Sequence, residues 1–165
     1  MMTEANLIKI GMADMNVGIG GTLLRTTGLG SCVGLTLHDA ERQIAGMAHI
    51  MLPSSEIARE GKLNLAKYAD TAVPELIDRL ARIGADPRRL VAKLAGGAQM
   101  FAFAGGSDSM RIGPRNVEST KHALALRSIP VIAEDTGGNY GRTIELDCRS
   151  GIVSIRSVQH GVKEI

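Results

Sequence analysis

Two short apolar runs flank the polar tetrapeptide Asp39-Ala40-Glu41-Arg42, and together they restrict the fold more than any other part of the chain. Before the tetrapeptide, Val33, Leu35 and Leu37 alternate with Gly34, Thr36 and His38; after it, Ile44, Gly46 and Ala48 continue an alternation of small or apolar residues. Period two marks a strand with distinct faces, and a four-residue connection between two such strands predicts a β-hairpin. With residues 39–42 as the loop, Val33 pairs with Ala48, Leu35 with Gly46 and Leu37 with Ile44, so that one face is wholly apolar. The other face sets His38 against Gln43, Thr36 against Ala45, Gly34 against Met47 and Cys32 against His49. A one-residue slip would move Cys32 and His49 to opposite faces.

Elements of both kinds surround this hairpin. Leu7-Ile8-Lys9-Ile10 reads as a short strand, Gly18-Ile19-Gly20-Gly21 as a turn cluster, and residues 22–27 as a second strand leading into the glycine turn 28–30. Residues 53–62 read as a polar loop. Asp70-Thr71 can cap a helix in which Val73, Leu76, Ile77, Leu80 and Ile83 recur at helical spacing, with Pro74 near its first turn and Gly84 and Pro87 closing it. A strand over 90–94, a helix over 114–127 and strands over 131–134, 143–147 and 152–158 complete the pattern, two of the last three forming a hairpin. With no repeat or linker, residues 1–165 read as one compact α/β domain, a mostly antiparallel or mixed sheet sandwich with helices packed outside.

Charge and leader signals narrow the function. Nineteen basic against seventeen acidic side chains give +2, with no basic stripe to follow a phosphate backbone, so nucleic acid is not an expected partner. The start of the chain lacks a basic segment followed by an apolar one, and no run approaches the ~20 apolar residues of a spanning helix. A cytoplasmic protein without membrane insertion is expected. Two cysteines, Cys32 and Cys148, without C-x-x-C spacing, read as single thiols, and the four histidines lack metal-ligand spacing. Neither a metal nor a cofactor is expected.

The facing pair Cys32 and His49 is the candidate active site. A free thiol ionises near about 8.5, and an adjacent imidazolium can lower that by several units, giving a thiolate able to attack a carbonyl. The same imidazole can then protonate a departing amine. Backbone N–H groups of Gly28, Gly30, Ser31 and Cys32 in the glycine turn can stabilise an oxyanion, with the Ser31 hydroxyl as a further donor. Orienting the imidazole needs a third group, and either Thr26 or Thr27 on the incoming strand can serve. Set against this, a lone Cys entering an apolar strand is ordinarily a small core residue. Cys148, with no histidine at an obvious facing position, reads as incidental, and His122 and His160 as solvated. A phosphate loop is disfavoured because a strand, not a helix, follows the glycines, and no G-x-x-x-x-G-K-[ST] occurs.

Six stretches carry a family resemblance: residues 26–33 (TTGLGSCV), 46–53 (GMAHIMLP), 67–72 (KYADTA), 95–101 (AGGAQMF), 112–116 (IGPRN) and 134–139 (EDTGGN). In this order they resemble the chemoreceptor glutamine deamidases of the CheD family over nearly the whole chain. The resemblance implies a cysteine amidohydrolase that converts particular glutamines on the cytoplasmic methylation helices of chemotaxis receptors to glutamate. It also implies a partner, the CheC phosphatase, which such proteins bind and stimulate. It places the nucleophile on Cys32, the histidine on His49 and the third member on Thr26. The alternative is chiefly a non-catalytic adaptor of CheC, against which the intact Cys32, Thr26 and His49 argue. Met100 and Phe101, beside Gly96-Gly97, are either core residues or part of the partner-binding surface.

Overall fold

In a computed structural model, which describes residues 6–58, 61–100 and 111–165, the expected hairpin forms in a shifted register. β4 (Val33–Asp39) and β5 (Ile44–Ile50) pair antiparallel with Val33 opposite Ile50, Gly34 opposite His49, Leu37 opposite Gly46 and Asp39 opposite Ile44. The loop is therefore 40–43, with Gln43 in a left-handed conformation (φ 53°). Asp39 explains the shift. Its fully buried carboxylate accepts from Arg89 Nε and Nη2 at 3.0 and 2.9 Å and from the Asp86 N–H at 2.9 Å. The Arg89 guanidinium, with these amides, holds the carboxyl at about 2. Anchored in this way, Asp39 belongs to the strand and not to the loop. Every partner moves by two residues, so each side chain keeps its face. Cys32 is consequently diagonal to His49, on the same face, instead of opposite it.

The remaining elements are β1 (Asn6–Ile10), β2 (Met15–Ile19), β3 (Thr22–Leu29), α1 (Ala69–Arg82), β6 (Val91–Gly96), α2 (Ile112–Leu126), β7 (Val131–Thr136), β8 (Arg142–Asp147), β9 (Val153–Ser157) and β10 (Gly161–Glu164). They make two five-stranded mixed sheets, β1-β3-β8-β9-β10 and β2-β5-β4-β6-β7. Val33, Leu35, Leu37, Ala48 and Ile50 face the helices and pack with Val73, Leu76 and Leu80 of α1 and Leu124 of α2. On the other face Cys32, Ala45, Met47 and Ala95 meet Leu24, Leu29, Ile144 and Leu146 of the second sheet. The layers are thus helices, the hairpin sheet and the second sheet, the α/β sandwich with helices outside that the sequence predicts. Covered on both sides, β4 and β5 are buried at every position, while β3 and β8 mostly alternate between core and surface. Each buried Leu or Ile contributes roughly 1.5–3 kcal/mol to this core.

Several expectations are corrected. The segment expected to turn at Gly18 is largely strand: β2 pairs with β5 at the sheet edge, leaving only Gly20-Gly21 as the turn. Asp70 and Thr71 do not cap α1. Tyr68 stands at the N-cap position without a side-chain bond, while Asp70 accepts from Ser55 and Thr71 donates to the Leu65 and Tyr68 carbonyls. Pro74 lies inside α1, beyond its first turn. Residues 53–62 include a 3-10 turn at Ser55–Ile57. β10 escapes the sequence pattern because all four of its residues are exposed and nothing alternates. Among the described residues no helix is long and apolar enough to cross a membrane.

Candidate active site

Strands from both sheets build the site. The alternation of β3 buries Thr26 between the sheets and exposes Thr27, which settles which threonine can reach an imidazole. Thr26 Oγ1 lies 2.7 Å from His49 Nδ1 and 2.8 Å from the Ile10 carbonyl oxygen. A carbonyl only accepts, so the single hydroxyl proton goes to Ile10, and Nδ1–H of His49 donates to the hydroxyl. This bond assigns the ring proton to Nδ1 and leaves Nε2 with its lone pair. Nε2 is fully buried and has no hydrogen-bond partner among the described residues. β1 supplies the decisive carbonyl because it runs parallel to β3 with Ile10 in register with Thr26. The His49 backbone is fixed as well: its N–H donates to the Asp14 carbonyl at 2.9 Å, and its carbonyl accepts from Ala13 at 3.1 Å.

Cys32 is a free thiol, 7% exposed, immediately before β4. Burial pushes it up from the ordinary thiol range, its own backbone N–H partly opposing that, and burial pushes the His49 imidazole down. Both shifts favour the uncharged forms, a thiol and an imidazole. No hydrogen bond joins them in this structure.

The glycine turn is held carbonyl by carbonyl. Gly28 takes φ 73°, a conformation open to glycine, and its carbonyl accepts the Gly30 N–H at 3.1 Å. The Gly30 carbonyl then accepts from Ala98 N–H at 2.9 Å, that of Ser31 from Asn116 Nδ2 at 2.9 Å, and that of Cys32 from Gly97 N–H at 2.8 Å. Of the N–H groups expected to converge, Gly30's is thus spent inside the turn. Those of Ser31 and Cys32 have no acceptor elsewhere on the backbone among the described residues. Asn116 Nδ2 also donates to the Met51 carbonyl at 3.0 Å, and among the described residues the fully buried amide leaves its own oxygen unpartnered. α2 can bring Asn116 so close because Gly113 has no Cβ: one there would overlap the Ala98 carbonyl. Beside the turn a depression of about 530 Å³ is lined by Gly28, Met100, Tyr140, Arg142, Arg156 and Val158. Met100 is partly exposed and packs near Gly30; Phe101 lies outside the described residues.

Sequence reasoning on spacing had no access to the Ile10 carbonyl, since a main-chain acceptor leaves no residue signature. Asn116 stood in one of the six matching stretches without a role.

The CheD chemotactic sensory transduction family model matches residues 51–157, and relatives extend the likeness to the rest of the chain. The chain is 53% identical over 165 residues to a probable chemoreceptor glutamine deamidase CheD of Geobacillus kaustophilus, covering 99% of this chain and 100% of that protein. It is 53% identical to the chemoreceptor glutamine deamidase CheD of Halalkalibacterium halodurans (97% of this chain, 99% of that one). To the protein of the same name from Bacillus subtilis it is 52% identical (99% and 98%). The chain belongs to the CheD family. Because the family model starts at Met51, Thr26, Cys32 and His49 all lie ahead of it, within the stretch that the full-length relatives cover. A crystal structure of the Bacillus licheniformis hypothetical protein YfiH, at 13% identity and TM-score 0.47 over 81% of this chain and 60% of that one, is too distant to bear on this CheD-family member's function.

Proposed function

We propose that this chain, acting as one domain over residues 1–165, is a cytoplasmic protein-glutamine deamidase. Its substrates are glutamine side chains on the methylation helices of chemotaxis receptors, and CheC is its binding partner. The observation that carries the reading is the Thr26–His49 bond, which leaves a buried imidazole nitrogen basic and unengaged on the same face as a free thiol. The relatives carry the deamidase name; CheC as partner is what the family resemblance implies, and the chemistry rests on these groups.

In the proposed reaction a glutamine side chain enters from the depression beside Gly28. A side-chain movement brings the Cys32 thiol to His49 Nε2, which removes its proton as sulfur attacks Cδ. The amide oxygen becomes an oxyanion opposite the Ser31 and Cys32 N–H groups. As the tetrahedral intermediate collapses, the imidazolium returns its proton to the departing nitrogen and ammonia leaves. His49 Nε2 then activates water, which adds to the thioester carbonyl. Glutamate is released and the thiol is restored. Thr26 stays neutral throughout: it stabilises the imidazolium by accepting from Nδ1–H and does not raise its basicity as a carboxylate would.

Mass mapping of a receptor cytoplasmic fragment after incubation with the protein tests this. The wild type should convert specific glutamines to glutamate, and Cys32→Ala should lower ammonia release by at least about 10³-fold. Deamidation at the wild-type rate by folded Cys32→Ala protein would sink the scheme.

A further inference from the structure

We infer that Asn116 is a positioning residue for this reaction: from α2, its side-chain amide orients and polarises the peptide unit whose N–H receives the oxyanion beside Cys32. The inference rests on the deamidase reading above and concerns how that site is held.

The peptide plane links each carbonyl's partner to the direction of the next N–H. No described peptide bond is cis, and in a trans peptide the C=O and N–H point in opposite directions. A donor on the carbonyl therefore fixes where the N–H of the next residue aims. The carbonyl of Gly30 is held by Ala98 and so sets the Ser31 N–H; the carbonyl of Ser31 is held by Asn116 and so sets the Cys32 N–H. A hydrogen bond on a carbonyl also polarises its own N–H as a donor. Among the described residues Asn116 is the one side chain in this scaffold; Ala98 and Gly97 act through the backbone.

The second bond of Asn116 gives the arrangement a further consequence. Met51 follows β5 two residues after His49, so Nδ2 ties the chain next to Cys32 to the chain next to His49 at 2.9 and 3.0 Å. Its Oδ1, buried with no donor among the described residues, is a cost that a residue present only to fill the core would avoid. Gly113 and Gly97 let the start of α2 approach this loop closely enough for a short side chain to span both arms; a Cβ at Gly97 would overlap Val117.

The test uses the full chain with Asn116→Ala and Asn116→Ser. Ammonia release from the receptor fragment is followed beside the pH profile of Cys32 alkylation by iodoacetamide, a reaction that builds no oxyanion. We expect kcat to fall about 10²-fold with KM changed by less than about threefold, while the alkylation profile stays that of the wild type. A kcat within about threefold of wild type, or alkylation falling in step with kcat, would overturn the assignment. Should neither variant fold, the wild type still decides. A peptide carrying an aldehyde in place of the glutamine amide adds the Cys32 S–H across its C=O, and the Cys32 amide proton should shift downfield by NMR while the Asn116 side-chain amide stays protected from exchange. No shift, or rapid exchange at Asn116, would refute it. Wild-type deamidation by Cys32→Ala removes the underlying reading instead, whereas loss in Cys32→Ala with full activity in the Asn116 variants removes only this inference.

Discussion

Cys32 with His49 and Cys148 with His38 are two buried cysteine–histidine neighbourhoods in the layer between the sheets, and their imidazoles are held as opposite tautomers. At His38, Nε2 lies 3.1 Å from the Cys148 backbone carbonyl. A carbonyl can only accept, so Nε2 carries the proton and that nitrogen is spent. The Cys148 thiol is pushed up to about 12 by burial and by the charge of Asp147. At His49 the threonine takes the proton-bearing nitrogen and the other is left bare. Burial beside a histidine therefore does not distinguish a candidate nucleophile from a core thiol. The tautomer does differ: the lone pair is on Nε2 at His49 and on Nδ1 at His38. His38 meets the backbone carbonyl of Cys148, a contact that spacing did not predict.

Exchanging the two histidines in turn should separate the neighbourhoods most widely. His49→Gln removes the proposed base and should lower kcat for ammonia release about 10³-fold. His38→Gln can still donate to the Cys148 carbonyl and should keep kcat within about threefold, costing on the order of 1 kcal/mol in urea unfolding. Comparable losses of activity in both would remove the distinction. Next in size is the threonine. Thr26→Ala strands His49 Nδ1 and the Ile10 carbonyl, so kcat should drop about 10- to 100-fold and stability by about 1–3 kcal/mol. Thr26→Ser should restore most of both, and Thr27→Ala, at an exposed position, should change neither.

A pH series sharpens the contrast further. The His49 pKa is lowered by burial, and the neutral form is the base, so the acid limb of kcat/KM should lie below the ordinary imidazole value of about 6.5. The linked stability has the same sign. Above about 6.5 neither folded nor unfolded His49 binds a proton, while between there and the depressed folded value only the unfolded chain does. Stability should thus fall as pH drops through that window, less steeply in His49→Gln; equal slopes in urea titrations would contradict the buried neutral imidazole. The smallest effect is expected at Cys148→Ala, which should leave deamidation unchanged and cost about 1–2 kcal/mol by loss of a packed sulfur. A large loss of activity there would make Cys148 part of the chemistry.

How far the residues alone reach differs by element. The hairpin was legible because β4 alternates strictly and β5 continues small and apolar residues after a polar turn, and α1 because its apolar residues follow helical spacing. β2 was masked by Gly18 and Gly20-Gly21, and β10 by exposure on both faces. In the site, spacing placed Cys32 and His49 on one face of one hairpin, and only the family resemblance preferred Thr26 to Thr27.

What the amino-acid order determined by itself is parity: which side chains of 33–50 share a face, hence that Cys32 and His49 point into the same layer. Parity survives a register shift of two, because side chains repeat every second residue along a strand. The tertiary structure decided the rest. Arg89, 50 residues from Asp39, drew that carboxylate into the strand and moved the register. The Ile10 carbonyl, delivered by a parallel strand, assigned the His49 tautomer, and Asn116 reached the turn from a helix 85 residues beyond Ser31. Each is a contact between distant segments, often through the backbone, and no local pattern of side chains encodes it.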